Sequence, residues 1–182
     1  MADIMIITVL GGGNGSFAAA GDFALQGHEV RLWRRDADAV AQQRAEGSRI
    51  VVKDSRGRHD AKLALVTTDI AEAVRDAKLI LCPAPAFAQA DIARALAPHL
   101  TDGQVVYLPP ATFGSFIFAK AMHDAGNRAE VSFAETGTLP WLTRKHGPFE
   151  VAITIRAKRL PTGVFPLKNA FHAITVIGKA FP

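Results

Sequence analysis

With a single cysteine, Cys82, the chain can close no intramolecular disulfide. Its stability must come from burial, and a reducing compartment, the cytoplasm, is the expected setting. Cys82 lies in an apolar run, where a free thiol is expected to act as a small buried hydrophobe. Long hydrophobic runs are missing as well. The N-terminal run at residues 4–10 is far short of the ~20 residues that a membrane helix needs, and it lacks the basic start and cleavage site of a secretory signal. No membrane partner is expected. Neither sign of charge dominates: 21 Lys and Arg against 17 Asp and Glu give a formal net charge of +4. The basic residues are scattered (Arg34-Arg35, Arg56, Arg58, Arg144-Lys145, Lys158-Arg159) and form no stripe with interleaved aromatics. A nucleic-acid partner is therefore not expected, while a modest basic excess suits an anionic small molecule. His, Cys, Asp and Glu do not recur at metal-ligand spacing, and no metal is expected. No repeat, low-complexity tract or flexible linker interrupts the chain, so residues 1–182 read as one domain.

What is present has a regular order. Apolar residues make up 49% and charged residues 21%, ordinary for a folded protein. Residues 4–10 form a continuous apolar run, as expected of a parallel strand buried on both faces. Beyond the glycines, Phe17, Ala20, Ala24 and Leu25 fall near helical spacing. Small Ala18, Ala19 and Gly21 allow close approach to a sheet, and Gly27 ends the helix. Residues 29–33 predict a second strand and 36–46 a second helix closed by Gly47. Further strands are expected at 50–53 and 62–66, as a hairpin about a polar turn or as two edge strands, and at 79–82, 104–108, 130–134 and 150–155. Asp69 with Glu72 resembles a capping box, and helices are expected at 87–96, 115–125 and 167–178. Strands alternating with helices predict an α/β fold of the Rossmann type: doubly wound, with a mostly parallel sheet and helices on both faces.

The chemistry-bearing motif is Gly11-Gly12-Gly13-Asn14-Gly15-Ser16, between the first strand and the first helix. Gly11 permits the tight turn and Gly13 lets a dinucleotide pyrophosphate approach the backbone. The helix N-terminus points amide donors and partial positive charge at it. Ser16 stands where the fingerprint has its third glycine, and its hydroxyl can reach a phosphate. The second strand ends Leu32-Trp33-Arg34-Arg35-Asp36, near the ~20-residue offset at which coenzyme choice is made. An arginine there accommodates the 2′-phosphate of NADP, because a guanidinium pairs with phosphate through a rigid donor fork. Arg34 thus favours NADP(H). In the alternative, Arg34 and Arg35 are solvated charges, Asp36 takes the ribose diol, and the coenzyme is NAD(H).

Several stretches together carry a resemblance. They are Val9 through Ala20 around the glycine loop, Gly27-His28-Glu29-Val30-Arg31-Leu32-Trp33, Pro83-Ala84, Leu108-Pro109-Pro110-Ala111-Thr112-Phe113-Gly114, and Ala134-Glu135-Thr136-Gly137-Thr138-Leu139-Pro140-Trp141 with Arg144. The chain resembles the N-terminal NAD(P)-binding domain of opine dehydrogenases of the octopine and nopaline type. More distantly it is similar to glycerol-3-phosphate dehydrogenase and ketopantoate reductase. The resemblance implies an oxidoreductase that joins the amine of an amino acid to a 2-oxo acid and reduces the imine with hydride from NAD(P)H. It implies Gly11, Gly13, Asn14 and Gly15 at the pyrophosphate and Arg34 as the coenzyme discriminator. Pro83 and Ala84 would pass the adenosine half, and Pro110, Ala111 and Thr112 the nicotinamide. Glu135 and Thr136 would line the substrate cleft.

Leu108-Pro109-Pro110 departs from the family's more frequent Asn-Pro-Gly, and proline removes an amide donor there. Glu135 also has a plainer reading, as a carboxylate that caps a helix or pairs with a basic neighbour such as Arg144. In this family a helical second domain supplies the histidine that handles the substrate proton. That domain is expected to be absent from residues 1–182, and His28, His59, His99, His123, His146 and His172 are not expected to replace it, so no catalytic residue is assigned. A half-enzyme of this kind should expose an apolar patch and form a homo-oligomer or meet its missing domain. Two alternatives stand beside this: a reductase of a small 2-oxo acid or phosphorylated ketone, and a non-catalytic NAD(P)-binding sensor or subunit.

Overall fold

Ile7, Val9 and Leu10 have no accessible surface, and the run that holds them becomes an interior strand of the larger of two sheets. The computed structural model describes residues 4–181. In chain order it forms β1 (Ile6–Leu10), α1 (Asn14–Leu25), β2 (Glu29–Trp33), α2 (Ala37–Ala45), β3 (Arg49–Asp54) and β4 (Gly57–Lys62). There follow β5 (Leu65–Thr67), α3 (Ile70–Val74), β6 (Leu79–Leu81), α4 (Ala86–Leu96), β7 (Val105–Leu108) and α5 (Gly114–Asp124). The last elements are β8 (Ser132–Glu135), β9 (Trp141–Lys145), β10 (Glu150–Arg156), β11 (Gly163–Phe165) and α6 (Ala170–Ala180). The larger sheet runs β11-β8-β7-β6-β1-β2-β5, parallel throughout except for β11 at its edge. Side chains of α1 and α6 pack on one face, those of α3, α4 and α5 on the other. The predicted Rossmann-type α/β fold is the one observed. Because β2 and β6 flank β1 on opposite sides, the strand order reverses at β1, and a crevice opens beyond the carboxyl ends of β1 and β6. Cys82 is fully buried beside it, and burial pushes its thiol up to about 12.

The second sheet, β4-β3-β10-β9, was not anticipated. It lies over α1, which is consequently buried at every position from Gly15 to Phe23. A helix covered on two sides has no room for a polar face, which explains Ala18-Ala19-Ala20-Gly21. A Cβ on Gly21 would stand 2.5 Å from Cγ2 of Val52, so the glycine admits the second sheet, not only the first. The expected strand at 62–66 is in fact two strands. β4 completes the hairpin with β3, and β5 joins the large sheet beside β2. The chain changes sheets at Leu63 and Ala64, whose amides donate to Ser48 and Val30 respectively. The strand expected at 130–134 begins at Ser132, and the last helix is preceded by a single 3-10 turn at Leu167–Asn169.

A buried ion network fastens α1 to the second sheet. The Asp22 carboxylate accepts Trp141 Nε1 at 2.8 Å and Arg156 Nη2 at 2.7 Å, and Arg156 Nη1 reaches Asp54 at 3.0 Å. Burial of Asp54 works against its charge. The Arg56 amide and the guanidinium groups of Arg156 and Arg56 more than offset that, holding its pKa at about 2. A folded-state pKa below the unfolded value contributes stability that is complete above the ordinary carboxylate range and is lost as pH falls toward about 2. Denaturation midpoints followed from pH 7 down to 2 should show this acid loss, and Asp54→Asn should lower stability at pH 7 and flatten the profile. Gly21→Ala gains at most ~1 kcal/mol of helix propensity against ~1–3 kcal/mol of overpacking on Val52. Its denaturation midpoint should therefore fall; a rise would mean that the second sheet does not press on α1.

Candidate functional site

The glycine loop is held from beneath and open above. Gly11 has φ +109°, a conformation that strains other residues, and its amide donates to the Trp33 carbonyl at 2.8 Å. A Cβ on Gly12 would meet Arg34 Nε at 2.9 Å, whereas one on Gly13 would meet nothing within 4 Å. Gly13 is also the N-cap of α1, and no side chain caps that helix. α2 and α3, by contrast, are capped by Asp36 and Asp69. The first-turn amides of α1 are thus left for an external anion, and the loop fits a dinucleotide pyrophosphate. The Ser16 hydroxyl does not reach outward as expected: it is buried and donates to the Leu10 carbonyl at 3.2 Å, which ties the start of α1 to the end of β1.

Two cations meet over this loop. Arg34 Nη1 donates to the Ala39 carbonyl at 3.3 Å and to Gln43 Oε1 at 3.0 Å, and its guanidinium lies 5.6 Å from the Phe17 ring centroid. Burial lowers its pKa while the charge of Asp36 raises it. Asp36 itself is exposed, and its carboxylate accepts the Ala39 amide at 3.0 Å as the cap of α2. The second cation, Lys145, was not foreseen. It projects from β9 of the second sheet, with Nζ 3.2 Å from the Gly12 carbonyl and 3.7 Å over the centre of the Phe17 ring. Its backbone amide donates to Asn14 Oδ1 at 2.9 Å. Burial and the neighbouring charge of Arg34 both pull its pKa down. The one signal in the sequence was the pair Arg144-Lys145, in a segment whose strand was itself not anticipated.

The other loops converge from β6, β7 and β8. Pro83 Cβ and Leu139 Cδ2 each stand 3.0 Å from where a Cβ on Gly15 would be, so this glycine admits two further loops at the crevice. Ala84 is buried beside Pro83. Gln89, also buried and also missed, donates Nε2 to the carbonyls of Ala84 at 3.2 Å and Pro110 at 3.3 Å, tying the loop after β6 to the loop after β7. Pro110 and Thr112 are exposed, and the Ala111 amide donates to the Thr136 carbonyl. The Glu135 carboxylate accepts the amides of Phe113 at 3.0 Å and Ser115 at 2.9 Å and so caps α5. Its partner is that helix and not Arg144. Thr136 is buried with its hydroxyl donated to the Thr138 carbonyl. Of the histidines, His28 is buried with Nδ1 accepting the Met5 amide, and burial lowers its pKa. His59 lies 3.3 Å from Asp54, His172 is 2.9 Å from the Gly103 carbonyl, and His99, His123 and His146 are exposed. A cavity of about 670 Å³ opens elsewhere, at the far end of α1 between Asp22, Trp141, Arg156 and Phe181, and contains none of the expected site residues.

Residues 6–109, more than half of the chain, match the model of the NAD-dependent glycerol-3-phosphate dehydrogenase N-terminus. The chain belongs to that family. Over 183 aligned residues and its whole length it is also 32% identical to an opine dehydrogenase of Arthrobacter sp. (strain 1C), of which it covers 50%. It is 31% identical over 106 residues to a glycerol-3-phosphate dehydrogenase [NAD(P)+] of Saccharophagus degradans, covering 58% of this chain and 29% of that protein. The solved structure of octopine dehydrogenase with NADH and pyruvate shares the fold, with a TM-score of 0.76 at 24% identity over 93% of this chain and 47% of that one. The opine-type resemblance therefore extends through Glu135 to Trp141, whereas the family match ends at Pro109. The chain spans half or less of the length of these relatives.

The geometry at Glu135 makes a direct prediction. Glu135→Ala removes both acceptors of the α5 cap and should cost about 1–2 kcal/mol of stability, read from chemical denaturation. An unchanged midpoint would free Glu135 for a role other than capping.

Proposed function

We propose that the chain is the dinucleotide-binding half of an opine-dehydrogenase-like oxidoreductase, which uses NAD(P)H to reduce the imine formed from an amino acid and a 2-oxo acid. One observation carries the reading: the uncapped N-terminus of α1 opens behind Gly11-Gly12-Gly13 with Arg34 against the loop. The whole-length likeness to an opine dehydrogenase selects the chemistry. In this reading the amides of residues 13–16 hold the pyrophosphate, while Asn14 and Gly15 shape its floor. Arg34 takes the 2′-phosphate and makes NADP(H) the preferred coenzyme over NAD(H), since the Asp36 carboxylate is engaged by α2. Pro83 and Ala84 border the adenosine half. Pro110 and Thr112 border the nicotinamide, in a loop that Gln89 and Glu135 hold in place. Glu135 and Thr136 stand at the cleft edge, where they shape the wall toward the substrate.

The bound dinucleotide would supply hydride; the chain's own share is to bind and orient it. Contacts to the amino acid and oxo acid, and the proton-handling histidine, fall to the part of such enzymes that these residues do not match. Phe113, Phe116 and Phe165 form an exposed aromatic cluster, with successive ring centroids 6.1 and 4.9 Å apart. We assign this face to contact with a helical domain or a second copy. A reducing compartment, the cytoplasm, belongs to this reading, and the single cysteine supports it. No helix among the described residues is long and apolar enough to cross a membrane. The family match over residues 6–109 favours a second reading, reduction of a phosphorylated ketone. Oxidation of NADPH with an amino acid plus a 2-oxo acid, compared with a phosphorylated ketone, separates the two.

Fluorescence titration tests the coenzyme site directly. NADPH should bind more tightly than NADH. Arg34→Asp should weaken NADPH by roughly ten- to a hundredfold, the worth of one or two charge-assisted hydrogen bonds, and bring the preference toward NADH. An unchanged ratio would remove Arg34 from the site, and failure to bind either nucleotide would sink the proposal.

A further inference from the structure

We propose that Lys145 and Arg34 together form a two-cation clamp for the 2′-phosphate of NADP(H), with one arm contributed by each sheet. The inference rests on the dinucleotide reading above and adds a residue from outside the β-α-β unit. Both side chains converge on Gly12. Arg34 Nε stands 2.9 Å from where a Cβ there would be, and Lys145 Nζ is 3.2 Å from its carbonyl oxygen. Both lie against Phe17, which gives them an apolar floor that excludes water from one side.

Their hydrogen-bond partners are neutral: the Ala39 carbonyl and Gln43 Oε1 for Arg34, the Gly12 carbonyl for Lys145. Among the described residues neither cation stands within ion-pair distance of a carboxylate. The nearby Asp36 carboxylate caps α2 through Oδ1 and acts on Arg34 only through its charge, without an ion pair. Two partly buried cations that repel each other across a glycine are relieved by a doubly charged anion set between them; burial first, and the charge of Arg34 after it, hold the pKa of Lys145 below its ordinary value.

Position distinguishes the 2′-phosphate from the pyrophosphate. The open amides of α1 begin beyond Gly13, whereas the two cations sit on the Gly12 side, at the end of β2. The arm from the second sheet is not free to drift, because the Lys145 amide is bonded to Asn14 Oδ1 at the first residue of α1. Gln43, fully buried, holds the guanidinium of Arg34 from the opposite side.

The test is equilibrium titration of the protein with NADPH, NADH, adenosine 2′,5′-bisphosphate and adenosine 5′-monophosphate, for the unaltered protein, Lys145→Met and Lys145→Arg. Lys145→Met should weaken NADPH and the bisphosphate by about tenfold and leave NADH and the monophosphate within about twofold. Lys145→Arg should recover most of the loss, because charge is retained, and would do so even if Lys145→Met altered local packing. Equal weakening of all four ligands by Lys145→Met would assign Lys145 to the pyrophosphate and overturn the clamp. No weakening of any would overturn it too. These outcomes differ from failure of the underlying reading, in which the unaltered protein would bind neither dinucleotide.

Discussion

Helix α1 has no solvated side, because the large sheet lies beneath it and the small sheet lies over it, and its position is therefore decided on both faces at once. Small side chains at Ala18 to Gly21 permit this, and the Asp22-Arg156-Asp54 network locks it. A helix clamped in this way holds its first turn rigidly against the end of β1. The glycine loop is tied to the strands beneath it, with Gly11 bonded to Trp33 and Ser16 to Leu10. The crevice, the converging loops and the two cations all take their coordinates from that one buried helix.

Electrostatics separates this helix from α2, α3 and α5. α2, α3 and α5 each receive a carboxylate at the N-terminus, from Asp36, Asp69 and Glu135, which satisfies one or two of their first amides. α1 receives none, since its cap residue is Gly13. The positive end of its dipole and the charges of Arg34 and Lys145 point into the same space. Uncompensated positive charge on several elements at one place is what a multiply charged phosphate ligand demands. The same logic moves Glu135 from the substrate toward the scaffold: its carboxylate orders the loop that carries Pro110 and Thr112.

Much of the fold was legible because local rules and burial agree there. Ile7 to Leu10 and Glu29 to Trp33 are strands in which apolar pattern and core position coincide. Asp36 and Asp69 start helices because their side chains cap them, a purely local interaction. The residues around Leu63 were misjudged, as a continuous β-prone stretch contains no mark of a change between sheets. β9 and β11 were missed because one is half exposed and the other is three residues long. Lys145 and Gln89 were missed for a related reason: their partners, Gly12 and Pro110, are distant in sequence and are carbonyls, which leave no residue-type signal.

The sequence by itself determined the identity of the loop, the alternation that makes a doubly wound sheet, and the basic residue at the end of β2. Each depends on contacts within one β-α-β unit, where chain connectivity already brings the partners together. Only the tertiary structure decided that a second sheet covers α1, that Ser16 and Glu135 turn inward to the scaffold, and that Lys145 arrives beside Arg34. The covering of α1 and the arrival of Lys145 depend on packing between segments more than a hundred residues apart, selected by shape and buried charge once the whole core has closed; Ser16 and Glu135 find nearer partners, at Leu10 and at the start of α5, which only the folded loops bring within reach.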